Sequence, residues 1–221
     1  MTSTAPTDSA SRAKKGRPRS EGVEQAILKA AASLLAEQGL RALTIEDVAA
    51  RAGVGKASIY RRWHSKGTLA LEAYVTEFLA AQPPVDTGSL AGDMYASLCA
   101  WIHTVKETPT GRSLVGLVAE AQFDPDLAIA WRDDVVAKIR NQHRLTIERA
   151  IARGEIPKDS DVEVLMDLFY GPAYHRLLHG HLPLTEEFAH EVVAIVVAGA
   201  KAGCAVPSNV RDGSPPAPSV S

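Results

Sequence analysis

From Thr44 to Lys66 the chain reads TIEDVAARAGVGKASIYRRWHSK. Few folds accommodate that run. Thr44 followed by Asp47 forms a capping box, in which the threonine oxygen accepts from a free N–H of the first helical turn. Ile45, Val48, Ala49 and Ala52 recur at i, i+3, i+4 and i+7, which puts one apolar face inward. Gly53 ends this helix because a residue without a Cβ tolerates positive φ. Val54 plugs the turn and Gly55 frees the chain to restart. The second helix, from Lys56, buries Ile59 and part of Trp63. Lys56, Ala57, Ser58, Tyr60, Arg61 and Arg62 are then left on or near its outer face. Two short helices joined this way, with a basic and hydroxyl-bearing outer face, have the layout of a helix-turn-helix, whose second helix fits the major groove of duplex DNA. Arg and Lys pair with guanine edges, Ser and Tyr suit phosphates or base edges, and the small Ala57 permits close approach. A surface helical hairpin with solvated charges is the competing reading of the run in isolation.

Charge placement favours the first reading. Residues 1–66 hold 12 Lys and Arg against 6 Asp and Glu, and the remaining chain holds 12 against 20, so a formal net charge of −2 conceals a basic head and an acidic body. A polyanion would meet only the head. Ahead of it, residues 1–13 are rich in Ser, Thr and Ala and read as disordered. They lead into Lys14-Lys15-Gly16-Arg17-Pro18-Arg19. Residues 1–20 are thus expected to be a disordered basic arm, with Arg17 and Arg19 touching phosphate or the minor groove. Ile27, Ala30, Ala31, Leu34 and Leu35 form the stripe of a preceding helix that Gly39 closes. After the recognition helix, Ser65 is placed to cap the next one. Lys66 in its first turn is disfavoured by the helix dipole unless a phosphate lies there.

Taken together, the run from about Ala26 to Phe78 resembles the TetR family of bacterial transcriptional regulators. Ala31, Leu34, Gly39, Thr44, Ile45, Ile59, Tyr60 and Lys66 carry the resemblance, and Leu43 to Lys66 follows the family signature nearly throughout. It implies that Thr44, Tyr60 and Lys66 grip phosphates and that Lys56, Ala57, Ser58 and Arg61 face base edges or adjacent phosphates. Three positions depart from the pattern: Gly55 where Ser is frequent, Gly67 where an acidic residue is common, and Trp63 where Phe or Tyr is usual.

The 221 residues hold 46% hydrophobic side chains but only 4 Phe, 5 Tyr and 3 Trp, which suits an all-α core rich in Ala, Leu and Val. No apolar run reaches bilayer length and no signal core leads the chain, so a cytoplasmic location is expected. Cys99 and Cys204 share no motif and read as structural thiols. The expected organisation is a helix-turn-helix domain over residues 21–66, an effector and dimerisation body over 67–204, and a disordered Pro- and Ser-rich tail over 205–221. About nine helices are expected, four in the head region and five behind. In the body these run to Pro83-Pro84, then from Met94 to before Pro109, and from Ser113 to Gln122. A long one opens at Asp124-Pro125 and closes at Gly154, one opens on a Ser160–Glu163 capping box, and one is capped by Thr185 with Leu184 as staple.

The resemblance implies a body that binds a small-molecule effector and forms a homodimer on operator DNA. A dimer has independent physical support, because a single recognition helix reads few base pairs and two half-sites lie about 34–36 Å or a multiple apart. Leu165, Phe169, Ala173 and Leu177, with Ala189, Val193, Val196 and Val197, are the expected dimer stripes; plain core is the alternative. Trp101, Phe123, Trp131, His143, Tyr170 and Tyr174 are the expected effector contacts, aromatic with polar tips. Gly171-Pro172 is expected to kink its helix beside that site. His175 and His179 share a face as zinc ligands can, yet with no Glu-x-x-His or Cys pair beside them no metal is expected. No nucleophile elbow, P-loop, dinucleotide fingerprint or converging carboxylate pair is present, so neither catalysis nor a cofactor is expected. The overall reading is a repressor released from duplex operator DNA by a small molecule. An activator, a non-specific DNA binder and a small helical enzyme are the alternatives.

Overall fold

The computed structural model describes residues 17–80 and 85–203, and every regular element among them is helical. α1 (Arg17–Ala42), α2 (Ile45–Ala52), α3 (Lys56–Tyr60) and α4 (Lys66–Ala80) form the head and its exit. The body contains α5 (Leu90–Glu107), α6 (Pro109–Arg112), α7 (Leu114–Ala121), α8 (Pro125–Ala130), α9 (Ala137–Ala152), α10 (Val162–His179) and α11 (Glu186–Ala202). A π-helical segment, Trp131–Val136, joins α8 to α9, so the long helix expected from Asp124 is continuous but carries one widened stretch. The four-residue α6 is the one addition to the expected nine. The tail beyond Gly203, Cys204 included, and residues 1–16 lie outside the described residues.

Local chemistry sets most boundaries. Gly39, at φ 75°, breaks the end of α1. Thr44 Oγ1 accepts from Asp47 N at 3.1 Å and donates to Asp47 Oδ2 at 2.6 Å, while Gly53 closes α2 at φ 66°. Ser65 Oγ accepts from Thr68 N at 3.1 Å, Asp124 caps α8 ahead of Pro125, and Thr185 Oγ1 accepts from Phe188 N at 3.1 Å. Two expectations are corrected. α1 begins at Arg17, so Arg17 and Arg19 lie on a helical first turn and not on a disordered arm; Pro18 suits such a turn, where its missing N–H costs nothing. α10 is capped by Asp161, whose Oδ1 accepts from Val164 N at 3.1 Å. Ser160 instead donates to Pro157 O at 2.7 Å, and Glu163 turns to arginines of α9.

One continuous apolar cluster runs from the head into the body. α1 packs on α2 and α4, and α4 continues onto α6, α8 and the π segment, so the head is joined to the body through a shared core. Ile27, Val48 and Ile59 are fully buried in it. Each contributes roughly 1.5–3 kcal/mol by leaving water. Asp93, wholly buried, staples the loop ahead of α5: it accepts from Thr87 N at 2.5 Å and Thr87 Oγ1 at 2.8 Å, with Arg149 facing it at 3.5 Å. α6 lies so close on α5 that a Cβ at Gly111 would meet Thr104 O at 2.0 Å. α10 stays helical through Pro172, which is exposed, and an irregular stretch of backbone, the π segment, lies beside the aromatic residues.

Packing also reassigns the expected dimer stripes. Leu165, Phe169, Ala173, Ala189, Val193, Val196 and Val197 are buried within the protomer, and Leu177 is half-buried and packs on the same core. Within the protomer they belong to the core, although Val193 and Val197 also border an open cleft with Tyr95 and His190. The exposed apolar residues of these helices are Val164, Leu168 and Leu178 on α10 and Ile195 on α11. No helix among the described residues is long and apolar enough to cross a membrane.

Candidate nucleic-acid interface and ligand cavity

α3 is only five residues long, and its attachment is what gives it a fixed outer face. Ile59 is fully buried and Trp63, just beyond the helix, is nearly so. The Trp63 indole donates to Glu72 Oε2 on α4 at 2.7 Å, tying the end of the recognition unit to the exit helix. With those anchors inward, Lys56, Ala57, Tyr60 and Arg61 are exposed, Tyr60 to 52%, while Ser58 is half-buried. Gly55 provides no side-chain cap for α3, as its departure from the family pattern implies. Thr44 is exposed at the start of α2 but its hydroxyl already serves Asp47.

The basic groups divide by partner. Lys56 Nζ lies 2.6 Å from Glu46 Oε1, and this pairing holds the Glu46 carboxyl below its usual range and raises Lys56. Both are exposed, so a phosphate can compete for the lysine. Arg51 pairs with Glu37 at 2.6 Å, and Arg62 is half-buried against Glu24 and faces inward. Lys66 donates to Leu40 O at 3.1 Å and to Arg41 O at 3.2 Å. These carbonyls end α1, where the dipole is negative. A lysine unfavourable for its own helix is thereby stabilised by its neighbour's end. With two of its N–H groups so engaged, the half-buried ammonium keeps one donor. Arg17 and Arg19 lie on α1, with side chains outside what is described. Gly67 is buried against α8: a Cβ there would touch Leu127 at 3.5 Å and approach Asp124 at 3.7 Å, so an acidic residue at this position would face a carboxylate.

Behind the head, five of the six expected effector contacts line one pair of adjoining chambers. The larger, of ≈ 430 Å³, is bounded by Trp101 and Val118, by Trp131 and Val136 of the π segment, by Ile139 and Arg140, and by Met166, Asp167, Tyr170, Gly171 and Tyr174 of α10. The smaller, of ≈ 40 Å³, shares Trp101, Ile139 and Tyr170 and adds Phe78, Val85, Ser97, Ala100, Gln142 and His143. The volume of the larger falls within the range of drug-sized ligand sites. Phe123 is corrected: it is 87% exposed in the turn after α7, because Asp124 must cap α8 directly behind it and the ring is carried outward. Arg140 and Asp167 were not singled out by sequence, and Gly171 only as part of the expected kink. For Asp167 the available signal was its place beside Met166 and Tyr170 on α10, which the neighbouring apolar stripe masked; Arg140 reaches the site from α9.

His143 and Tyr170 share a hydrogen bond through the imidazole Nε2 and the phenol oxygen. Burial pulls His143 down to about 4 and pushes the Tyr170 phenol up, and Tyr174 is pushed up to about 12. Arg140 is closed by Asp167 at 2.6 Å and Glu163 at 3.0 Å, and Arg144 also pairs with Glu163. A second cleft, ≈ 470 Å³, lies on the head side: Arg62, Trp63, His64 and Glu72 face Ala130, Asp134 and Lys138 across it. The Trp131–Val136 segment therefore separates the aromatic cavity from the head. His175, His179 and His181 do gather, with His175 ring centroids 4.7 and 4.8 Å from the other two. Yet among the described residues no three His, Cys, Asp or Glu side chains are arranged to hold a metal ion.

Comparison with known proteins agrees with this geometry over both parts of the chain. The family model of bacterial regulatory proteins of the tetR family matches residues 27–73, and that of the tetracyclin repressor-like C-terminal domain matches residues 84–196. The transcriptional regulator YdeS of Bacillus subtilis (strain 168) is 34% identical over 88% of this chain and 98% of its own length. A DNA-binding transcriptional repressor TetR of Mycobacteroides abscessus is 29% identical over 79% of this chain and 92% of its own. The crystal structure of the TetR family transcription regulator SCO0332 superposes with a TM-score of 0.73 at 37% identity, covering 80% of this chain and 97% of that one.

Proposed function

The chain belongs to the TetR family of bacterial regulatory proteins and is a helix-turn-helix transcriptional regulator; on that premise we propose that it is a homodimeric, cytoplasmic repressor which a small molecule releases from its operator. The head, residues 21–66, reads DNA with the exposed face of α3: Lys56, Ala57, Ser58 and Arg61 against base edges, with Thr44, Tyr60 and Lys66 on flanking phosphates and Arg17 and Arg19 of α1 beside them. Residues 67–204 bind the effector and pair two copies. The repressor named among the relatives supports the sign of control. No catalytic role is assigned to any residue.

One observation carries the ligand response. The Trp131–Val136 segment presents Trp131 and Val136 to the cavity and Asp134 to the cleft against the head. π-helical stretches recur at functional sites because their hydrogen-bond register is readily shifted. A molecule seated against Trp131 moves that wall, and with it the surface on which Arg62, Trp63 and His64 rest. The head spacing that fits adjacent major grooves is then disfavoured, and effector and DNA weaken each other reciprocally. Pairing of copies uses the exposed α10 and α11 residues Val164, Leu168, Leu178 and Ile195. Footprinting of the purified chain on DNA flanking its own gene tests the reading. A protected near-palindrome with salt-dependent affinity is expected, and indifference to duplex DNA in dilute buffer would overturn it.

A further inference from the structure

The aromatic cavity has a specific charge balance, and it says what kind of molecule belongs there. Arg140 and Asp167 are the charged residues in its lining. They are paired with each other at 2.6 Å, and the network is closed by Glu163 and Arg144. Two cations and two carboxylates leave no net charge for a ligand to answer. An anion would have to displace a carboxylate that already compensates Arg140, and a cation an arginine from Asp167, so either gains only the exchange of one solvated ion pair for another. The remaining polar groups of both chambers are neutral: Ser97, Gln142, His143, Tyr170 and Tyr174. The depressed imidazole and raised phenols keep the last three uncharged across physiological pH.

Shape and hydrogen bonding narrow the class further. Trp101 and Trp131 both line the larger chamber, and Tyr174 packs on Trp101 with ring centroids 5.4 Å apart. Flat aromatic walls favour a flat apolar body, offset or edge-on. Tyr74 stacks on Phe78 at 5.1 Å and lies 6.1 Å from Trp131, buried behind these lining residues and itself lining neither chamber. Its hydroxyl is buried and has no hydrogen-bond partner among the described residues. Such a group costs about 1–3 kcal/mol while unmatched.

We infer that the molecule this cavity takes is uncharged, flat and largely apolar, with one hydrogen-bonding atom for the phenols of Tyr170 and Tyr174. This rests on the reading of the cavity as the effector site. Three probes test it on the full chain: N-phenyl-1-naphthylamine, which is uncharged; 8-anilinonaphthalene-1-sulfonate, the same ring set carrying a sulfonate; and ethidium, a flat cation. Each is titrated with tryptophan excitation and read by energy transfer to the probe; the naphthylamine and its sulfonate, but not ethidium, which intercalates in duplex DNA, are also assayed for release of the protein from its own promoter region. The uncharged probe is expected to bind at least about tenfold more tightly than the other two. Gly171→Leu should abolish its binding, because a side chain at Gly171 projects into open space at the cavity wall within a helix that tolerates leucine. Trp131→Ala should weaken it at least about tenfold while a thermal melt stays cooperative. Equal or tighter binding of the sulfonate or the cation overturns the proposed class, as does uncharged-probe binding that survives Gly171→Leu. If the uncharged probe binds there and leaves DNA affinity unchanged, the class stands and the effector reading fails. If a charged compound alone releases DNA, the effector reading stands and the class fails. If none of the three binds, both fail.

Discussion

Arg61 and Lys66 are both cations of the head, and their surroundings give them different roles. Arg61 is exposed on the α3 face, whereas Lys66 is half-buried with its ammonium on two carbonyls of α1. Arg61→Ala is expected to relax preference at one base pair at a cost of about 1–3 kcal/mol, measured by binding to a library of single-base operator variants. Uniform loss on every sequence would remove its base-reading role. Lys66→Ala should weaken all sequences alike and reduce the salt slope by about one unit. It should also lower the melting temperature, since the end of α1 loses its cation. A residue-scale pH effect belongs to His143. Its imidazole is pulled down to about 4, while an unfolded histidine titrates near 6.5. Between those values the unfolded chain binds the extra proton. Stability is therefore complete above about pH 6.5 and declines as pH falls toward 4, by at most roughly 3 kcal/mol. Melts of the wild type and His143→Gln across that window should show a shallower decline for the variant; parallel curves would remove His143 as the cause.

At the scale of elements, α10 decides most. Three apolar stripes run along it, about 100° apart. Leu165, Phe169 and Ala173 face the protomer core; Met166, Tyr170 and Tyr174 face the cavity; Val164 and Leu168 face outward. Each is a legitimate i, i+4 series, so periodicity found the helix and could not rank its faces. That is why the core stripe reads as a dimer face in sequence while the cavity stripe yielded only its two tyrosines. The outward faces carry the corresponding prediction. Ile195→Glu with Leu168→Glu should convert a dimer to a folded monomer by light scattering and lose operator affinity, while Val193→Asp, in the core, should unfold the protomer instead. A folded Val193→Asp monomer with an intact Ile195→Glu, Leu168→Glu dimer would reverse the assignment. Short α3 presents the opposite case. Thr44, Gly53, Ile59 and Trp63 are local devices of capping, positive φ and burial, so its geometry was readable from residue types alone.

Across the whole molecule, head and body share one core through α1, α4 and α6, and the cavity wall touches the head side through Asp134 and Lys138. If the aromatic cavity and α3 are coupled, the coupling is symmetric. A compound that lowers operator affinity by a given factor, typically about 5- to 150-fold, must lose its own affinity by the same factor when operator is bound. Paired titrations of N-phenyl-1-naphthylamine with and without operator DNA measure the coupling, and an affinity that operator leaves unchanged would show the cavity and α3 to be uncoupled. What the amino-acid order determined without help is most of what neighbours within a turn or two govern: the longer helices, all but one of their expected caps, the glycine stops, and the exposed basic face that an apolar Ile59 and Trp63 oblige α3 to present. Only tertiary packing decided which of several equivalent apolar stripes met another stripe, which aromatic side chains converged on a cavity while Phe123 turned outward, and which lysine found a neighbouring helix end. Those outcomes depend on contacts between residues far apart in the chain, and the periodicity of a single helix holds no information about what lies across from it.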